Sequence, residues 1–427
     1  MDATTRGFFL FFTILYLTAC GQENAGKVNT TSFDCAGQAI SDSFLIQWKD
    51  DVPPEFAAYK LSPDSKVTRF TGVNKTQIEN EILHKHRNNY KTAEHEFTLD
   101  VEDIQPHAAA CNTNLSELPD SWGPIDINAS QAWTTLGKQG EDIIVGIVDS
   151  GVDTRHPLLQ DNIWINTGEI AGNGIDDDQN GYIDDHKGFN FAGMNSDVIS
   201  GSTHGTHVAG IVAGKTSAST NNFTGVAPKA KIMPLKFIHA NSGSVGDAIK
   251  AMEYARRHGA KIINASWGGD LCSDVLKDAI VAATVSGTVF VNASGNAGKD
   301  LVRAPEWPAV YQLAGKITVG AYNLNQRLSG FSNYGDLVDL AAPGESILST
   351  VPPQVGTAQG KMCAMSGTSM ATPFVAGVSA LLFSYKPSAT PTEIATAISA
   401  SVVTGQYGVR TKGKLNALGA AQYLMSH

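Results

Sequence analysis

Residues 143–153 read IIVGIVDSGVD. The apolar run Ile143–Val148 stops at Asp149, and the chain turns at once through Ser150 and Gly151. Six residues without polar alternation predict a short strand buried on both faces. A carboxylate at the tip of such a strand is costly to bury unless it is hydrogen-bonded. Taken alone, Asp149 reads equally as a turn residue or a helix cap.

The same texture recurs from about residue 120 onward. Further apolar runs occupy Lys231–Ile238, Lys261–Ala265, Thr288–Asn292, Lys316–Gly320 and Leu337–Leu340. Between them, Gly243–His258 and Ser273–Ser286 carry apolar residues at helical spacing. Buried strands alternating with helices predict an α/β domain over 112–427: a mainly parallel central sheet with helices on both faces. Ligand sites of such sheets lie beyond the carboxyl ends of the strands, where Asp149 sits.

Upstream, residues 35–111 are dense in charged and polar groups. Leu45–Trp48 and Glu96–Val101 predict short strands and Gln77–His86 an amphipathic helix, which together make a small α+β unit. Residues 20–34 are polar and predict a flexible tether. Residues 1–19 include GFFLFFTILYLTA at Gly7–Ala19, too short for a bilayer span and the length of a signal-peptide core. Leu17-Thr18-Ala19-Cys20 resembles the lipobox of bacterial lipoproteins, which implies cleavage before Cys20 and lipid on its sulfur; an ordinary secretory signal with a chance cysteine is the alternative. Gly21 then favours the outer membrane. Either way the protein is expected outside the cytoplasm, where disulfides are permitted.

Composition narrows the function. The chain has 427 residues, with 31 Lys and Arg against 41 Asp and Glu and a net charge of −10. A nucleic-acid partner would call for a basic stripe. Five cysteines are too few for a disulfide scaffold. Bridges between Cys35 and Cys111, and between Cys272 and Cys363, both remain open, as do unpaired thiols.

Two further segments carry chemistry. His204–Gly210 reads HGTHVAG, with His204 at the entry of a helix; alone, His204 and His207 could also be a metal pair. Ser366–Pro373 reads SGTSMATP and leads into the apolar FVAGVSALLFSY. Ser369 therefore falls at the amino end of a buried helix, where free N–H groups and the helix dipole favour an oxyanion. Alone it reads as a plain N-cap.

Asp149, His204 and Ser369 follow one another at separations of 55 and 165 residues. That order is the subtilisin order. With DSGVD, HGTHVAG and SGTSMATP together, the chain over about 120–425 resembles the subtilases, the subtilisin-like serine proteases. The resemblance implies an endopeptidase in which Ser369 attacks the scissile carbonyl, His204 accepts its proton and Asp149 orients His204. NASGNAG at Asn292–Gly298 resembles the family's oxyanion motif and assigns that role to Asn296. INASWGG at Ile263–Gly269 resembles the substrate-binding segment, with Ser266, Trp267 and Gly268 pairing an extended peptide. RAPEWPA at Arg303–Ala309 places Glu306 near the base of the pocket for the residue before the scissile bond, where an acid favours Lys or Arg.

Gly174–Asp185 reads GIDDDQNGYIDD, with five acids in ten residues. Asp176, Asp178 and Asn180 alternate ahead of Gly181, the opening of a calcium loop, but Lys187 at position 12 rules out a full EF-hand. Candidate ligands of a structural calcium are Asp176, Asp178, Asn180, Tyr182, Asp184 and Asp185; a solvated acidic loop is the alternative. Similar inserts occur in subtilases. The resemblance also implies that 35–111 is a prodomain, cleaved between about Pro106 and Ser121, and that the partners are protein or peptide substrates, the chain's own prodomain and a membrane reached through the lipid.

Overall fold

The computed structural model describes residues 39–101, 121–199, 201, 203–215, 223–352 and 362–427. The chain divides into two units, 1–34 and 35–427. The signal segment, Cys20 and the tether lie outside the described residues, as do Cys35, Cys111 and most of the expected cleavage window.

Within 35–427, the first part contains β1 (Ala39–Trp48), β2 (Val67–Thr71), α1 (Lys75–Gln77) and β3 (Tyr90–Asp100). α1 opens with a capping box between Asn74 and Gln77 and runs on as a π-helical turn over Ile78–Leu83. Ile78 and Ile82 bury one side of that turn against Phe44, Ile46, Trp48 and Phe70. Both strands start earlier than apolar residues alone predict. Their polar members are partnered instead: Ser43 Oγ donates to Glu96 at 2.6 Å.

The second part begins with α2 (Trp122–Asp126), α3 (Ala129–Leu136), β4 (Ile144–Asp149), β5 (Phe189–Asn190) and α4 (Thr203–Ala213). It continues through β6 (Lys231–Lys236), β7 (Ser242–Ser244), α5 (Val245–Arg257), β8 (Ile262–Ala265) and α6 (Asp274–Val285). β9 (Val289–Ala293), β10 (Lys316–Tyr322), β11 (Leu340–Pro343), β12 (Ile347–Thr350) and β13 (Met362–Met365) follow. The last elements are α7 (Thr368–Tyr385), α8 (Pro391–Ala400), β14 (Val403–Thr404), β15 (Gly413–Lys414) and α9 (Ala417–Ser426).

Nine strands form the central sheet in the order β14-β15-β11-β10-β9-β8-β4-β6-β5. All its pairs are parallel except β14 with β15. The expected α/β architecture is the one found. β4, β8 and β9 are neighbours, so the loops leaving their carboxyl ends converge. α4 and α7 pack together, and α5 and α6 form a second pair. α7 is buried along nearly its whole length. It is the one described helix long and apolar enough to cross a membrane, and it serves as the core helix.

The two parts share a sheet edge. β3 pairs antiparallel with β7, Leu99 opposite Gly243. Leu45, Leu61, Val67, Leu99 and Val101 enter the same apolar core as α5, α6 and β8. Two glutamates of β3 reach helix amino ends. Glu94 accepts from the Asp274 amide at 3.0 Å and from Ser273 Oγ at the start of α6. Glu96 accepts from the Gly246 amide of α5 at 3.0 Å and from Arg69 at 2.5 Å. Negative charge at a helix amino end is stabilising. Burial nonetheless dominates at Glu94 and pushes its pKa up to about 7.

Candidate active site

β4 delivers Asp149, which is fully buried. Its Oδ1 accepts from the Ser150 amide at 2.6 Å and faces His204 Nδ1 at 2.8 Å; Oδ2 lies 3.0 Å from the same nitrogen. The carboxylate costly at a strand tip is thus satisfied by its own turn and by the imidazole. Gly151, at φ 101°, lets the chain pass Val198: a Cβ there would meet the Val198 carbonyl at 2.2 Å. His204 stands at the first turn of α4 with its side chain 15% exposed. Three residues on, His207 is buried, its Nε2 lies 3.0 Å from the Cys363 carbonyl, and desolvation lowers its pKa to about 3. Burial thus disfavours its charged form.

α7 delivers Ser369, 2% exposed, one residue after its start. The helix carries Pro373 inside it. A proline there removes the N–H that would bond the carbonyl four residues back, which is Ser369. Ser266 Oγ supplies the missing donor to the Ser369 carbonyl at 2.9 Å. Ser369 Oγ in turn donates to the Ser266 carbonyl at 3.2 Å. The nucleophile's helix and the strand-end segment after β8 are therefore tied by two reciprocal hydrogen bonds. His204 Nε2 is buried without a hydrogen-bond partner.

Asn296 follows β9. Its Oδ1 accepts from the Thr368 amide and from Thr368 Oγ1, both at 2.9 Å. An amide proton must face oxygen, so Nδ2 is the end of Asn296 that presents donors. Met370 and Ala371 amides already bond the Gly367 carbonyl, and Asn296 takes that of Thr368. Ser369 N–H is then the first-turn amide that sits with the nucleophile. Two donors of the type that stabilise an oxyanion thus stand together. Thr368 is the positioning residue that sequence reading missed. Its place before the serine was visible, but its partner was not.

Ser266, Trp267 and Gly268 contribute differently. The Trp267 indole is buried and donates to the Val148 carbonyl at 2.8 Å, so it braces the core. Gly268 exchanges two main-chain hydrogen bonds with Asp100 at the end of β3, at 2.8 and 3.1 Å. The chain's own β3 end therefore lies along the segment expected to pair with substrate.

A pocket beside Ser369 is lined by Gly268, Ala293, Gly295, Asn296, Glu306 and Ala309, among others. Glu306 is in the wall and 3% exposed. It does not face the pocket alone: Lys299 Nζ lies 2.6 Å from its Oε1. Gly295, at φ 100°, permits the close approach, because a Cβ there would meet Glu306 Oε2 at 1.8 Å.

The acidic loop is rearranged relative to the sequence reading. Asp178 and Asp185 converge with Glu169, their oxygens within 4.8 Å of one another, in a group that could hold a metal ion. Glu169 is 5% exposed, and its Oε2 is buried without a hydrogen-bond partner. Burial is the first cause that raises its pKa. Asp176 and Asp184 are held by backbone amides, whereas Asn180 borders the cluster. Asp176 accepts from the Asn180 and Gly181 amides at 3.0 and 2.8 Å. Asp184 accepts from the Asn173 and Gly174 amides at 3.0 and 3.1 Å. Asn180 Nδ2 donates to Asp178 and Asp185, and the Tyr182 ring packs among Phe189, Phe191 and Tyr254. Alternate spacing set the backbone turn here, and Glu169, seven residues before Asp176, supplies the third carboxylate. Cys272 and Cys363, which flank the substrate segment and the nucleophile, are both disulfide-bonded.

Comparisons with known proteins agree with this geometry. The profile described as "Subtilase family" matches residues 140–420. Thermitase of Thermoactinomyces vulgaris is 37% identical over 303 residues, covering 71% of this chain and 96% of thermitase. The major intracellular serine protease of Bacillus subtilis (strain 168) is 36% identical over 278 residues, 64% of this chain and 77% of its own. Among solved structures, fervidolysin of Fervidobacterium pennivorans, described as a keratinolytic enzyme related to subtilisin, aligns with TM-score 0.71 at 26% identity. That alignment covers 90% of this chain and 61% of the fervidolysin chain. The chain belongs to the subtilase family of serine endopeptidases.

Proposed function

We propose that this protein is an exported serine endopeptidase made as a zymogen, in which residues 35–111 are an inhibitory prodomain. One observation carries the zymogen reading: Asp100 and Gly268 are hydrogen-bonded as a substrate strand and its binding segment would be. Export rests on the apolar leader and on Leu17–Cys20, which favour an outer-membrane lipoprotein or, once the prodomain is cut away, a secreted enzyme.

Catalysis follows from the groups in place. Rotation about the Ser369 Cα–Cβ bond exchanges the Ser266 carbonyl for His204 Nε2 as the acceptor of the hydroxyl proton. Asp149 holds Nδ1–H and stabilises the imidazolium formed when Oγ attacks the carbonyl. Asn296 Nδ2 and the Ser369 amide receive the oxyanion. His204 returns the proton to the leaving amine, and water then repeats the sequence on the acyl-enzyme.

A fluorophosphonate probe tests the reading. The purified wild type should label on Ser369 and convert from precursor to a shorter form, both followed by intact mass. A folded protein that neither labels nor shortens would overturn it.

Glu169, Asp178 and Asp185 fit a calcium ion: three carboxylates, one with a desolvated oxygen lacking a partner, offer hard ligands. The ion would hold the acidic loop. For a site loaded at a hundred times its dissociation constant, removal costs about 2.7 kcal/mol. Chelation should then lower Tm by on the order of 5 °C, and Glu169→Gln should abolish the difference between loaded and chelated protein. An unchanged Tm on chelation would remove calcium from the account.

A further inference from the structure

We propose that Lys299 sets the side chain preferred before the scissile bond: by holding Glu306 it makes the pocket select uncharged residues instead of Lys or Arg. The inference deepens the endopeptidase reading and rests on it.

An acid in this pocket wall suggests affinity for cations only if its charge is available. Glu306 is nearly fully buried, and Lys299 lies against it at 2.6 Å with its side chain 27% exposed. On the outer side, Lys299 lies 3.5 Å from Asp270, which is exposed. The ammonium is therefore bracketed by two carboxylates. Burial opposes its charge, but the hydrogen bond and charge of Glu306 outweigh that, and its pKa is raised. Its charged form is therefore favoured.

An arginine entering the pocket gains nothing by default. To reach Glu306 it must displace Lys299, exchanging one ion pair for another and leaving Lys299 with only the rim carboxylate. Breaking a buried pair from one side is costly. An uncharged side chain leaves the pair intact and gains apolar contact with Ala293 and Ala309. The pair also makes opposite predictions for its two members. Loss of Lys299 uncovers an anion for Arg or Lys, and loss of Glu306 uncovers a cation for Glu.

The experiment uses matured enzyme with active sites counted by fluorophosphonate titration, and peptides that differ only in Leu, Arg or Glu before the cut. Wild type should favour Leu over Arg by tenfold or more in kcat/KM. Lys299→Met should shift the Arg-to-Leu ratio towards Arg by about ten- to a hundredfold, the range for a hydrogen bond to a charged group, mainly through KM. Glu306→Gln should shift the Glu-to-Leu ratio towards Glu, and adding it to Lys299→Met should erase the gain for Arg. Lys299→Gln serves if the methionine variant does not fold. Wild-type preference for Arg, or ratios unmoved by Lys299 substitution, would overturn the proposal while leaving the protease intact. Failure to label and to cut any peptide would instead overturn the reading beneath it.

Discussion

Ser369→Ala should reduce kcat by about a millionfold, the magnitude found when the corresponding serine of a subtilisin is removed. The physical reason is that alanine leaves no atom to attack and none to carry the acyl group. The remaining groups, Asn296 and the helix amide, retain a residual advantage over water of about 10³–10⁴. The fold should survive. Ser369 Oγ has one protein hydrogen bond in the structure, to the Ser266 carbonyl, and the tie from Ser266 Oγ to the residue 369 carbonyl does not use the side chain. The variant should therefore accumulate as precursor of unchanged Tm. Peptide hydrolysis within a hundredfold of wild type, measured after mass spectrometry excludes wild-type carry-over, would show that the nucleophile lies elsewhere.

Asp149→Asn should cost about 10⁴ in kcat with little change in KM. Asp149 Oδ1 accepts from the Ser150 amide, which fixes that end of the side chain. In asparagine the oxygen stays with Ser150, so the amide nitrogen takes the Oδ2 position, 3.0 Å from His204 Nδ1. A donor there forces the imidazole proton onto Nε2, the nitrogen that must receive one from Ser369. The loss should shrink as pH rises and hydroxide takes over the proton, and the pH–rate profile checks this. An unchanged profile, with activity within tenfold of wild type, would place the orienting carboxylate elsewhere.

The parts of this fold legible in the sequence were those fixed by local pattern. Ile143–Val148 and its fellow runs became β4, β6, β8, β9, β10 and β11, because a strand covered on both faces must be apolar throughout. Gly243–His258 and Ser273–Ser286 became α5 and α6, each capped by the serine at its start. Asp149, His204, Ser369 and Asn296 were legible because their motifs carry the turn, the helix entry and the donor together. What escaped depended on partners outside the local motif. β3 begins at Tyr90 in a charged stretch because Lys91, Glu94 and Glu96 find Asp278, Ser273 and Arg69. Glu306 reads as a lone anion because Lys299, upstream in the same β9–β10 connection, lies outside the RAPEWPA stretch. The acidic loop was read by spacing, whereas backbone amides claim Asp176 and Asp184, and Glu169 enters from upstream.

The antiparallel join of β3 to β7 has a consequence for timing under the zymogen reading. While the chain is whole, inhibitor and enzyme are one molecule, and their encounter is governed by an effective concentration on the millimolar scale, whatever the protein's abundance. A single cut converts that internal equilibrium into a bimolecular one. From then on, dilution decides how long the cleft stays closed. A crowded surface would keep the pair together, and release into a large volume would free the enzyme without any further chemical signal.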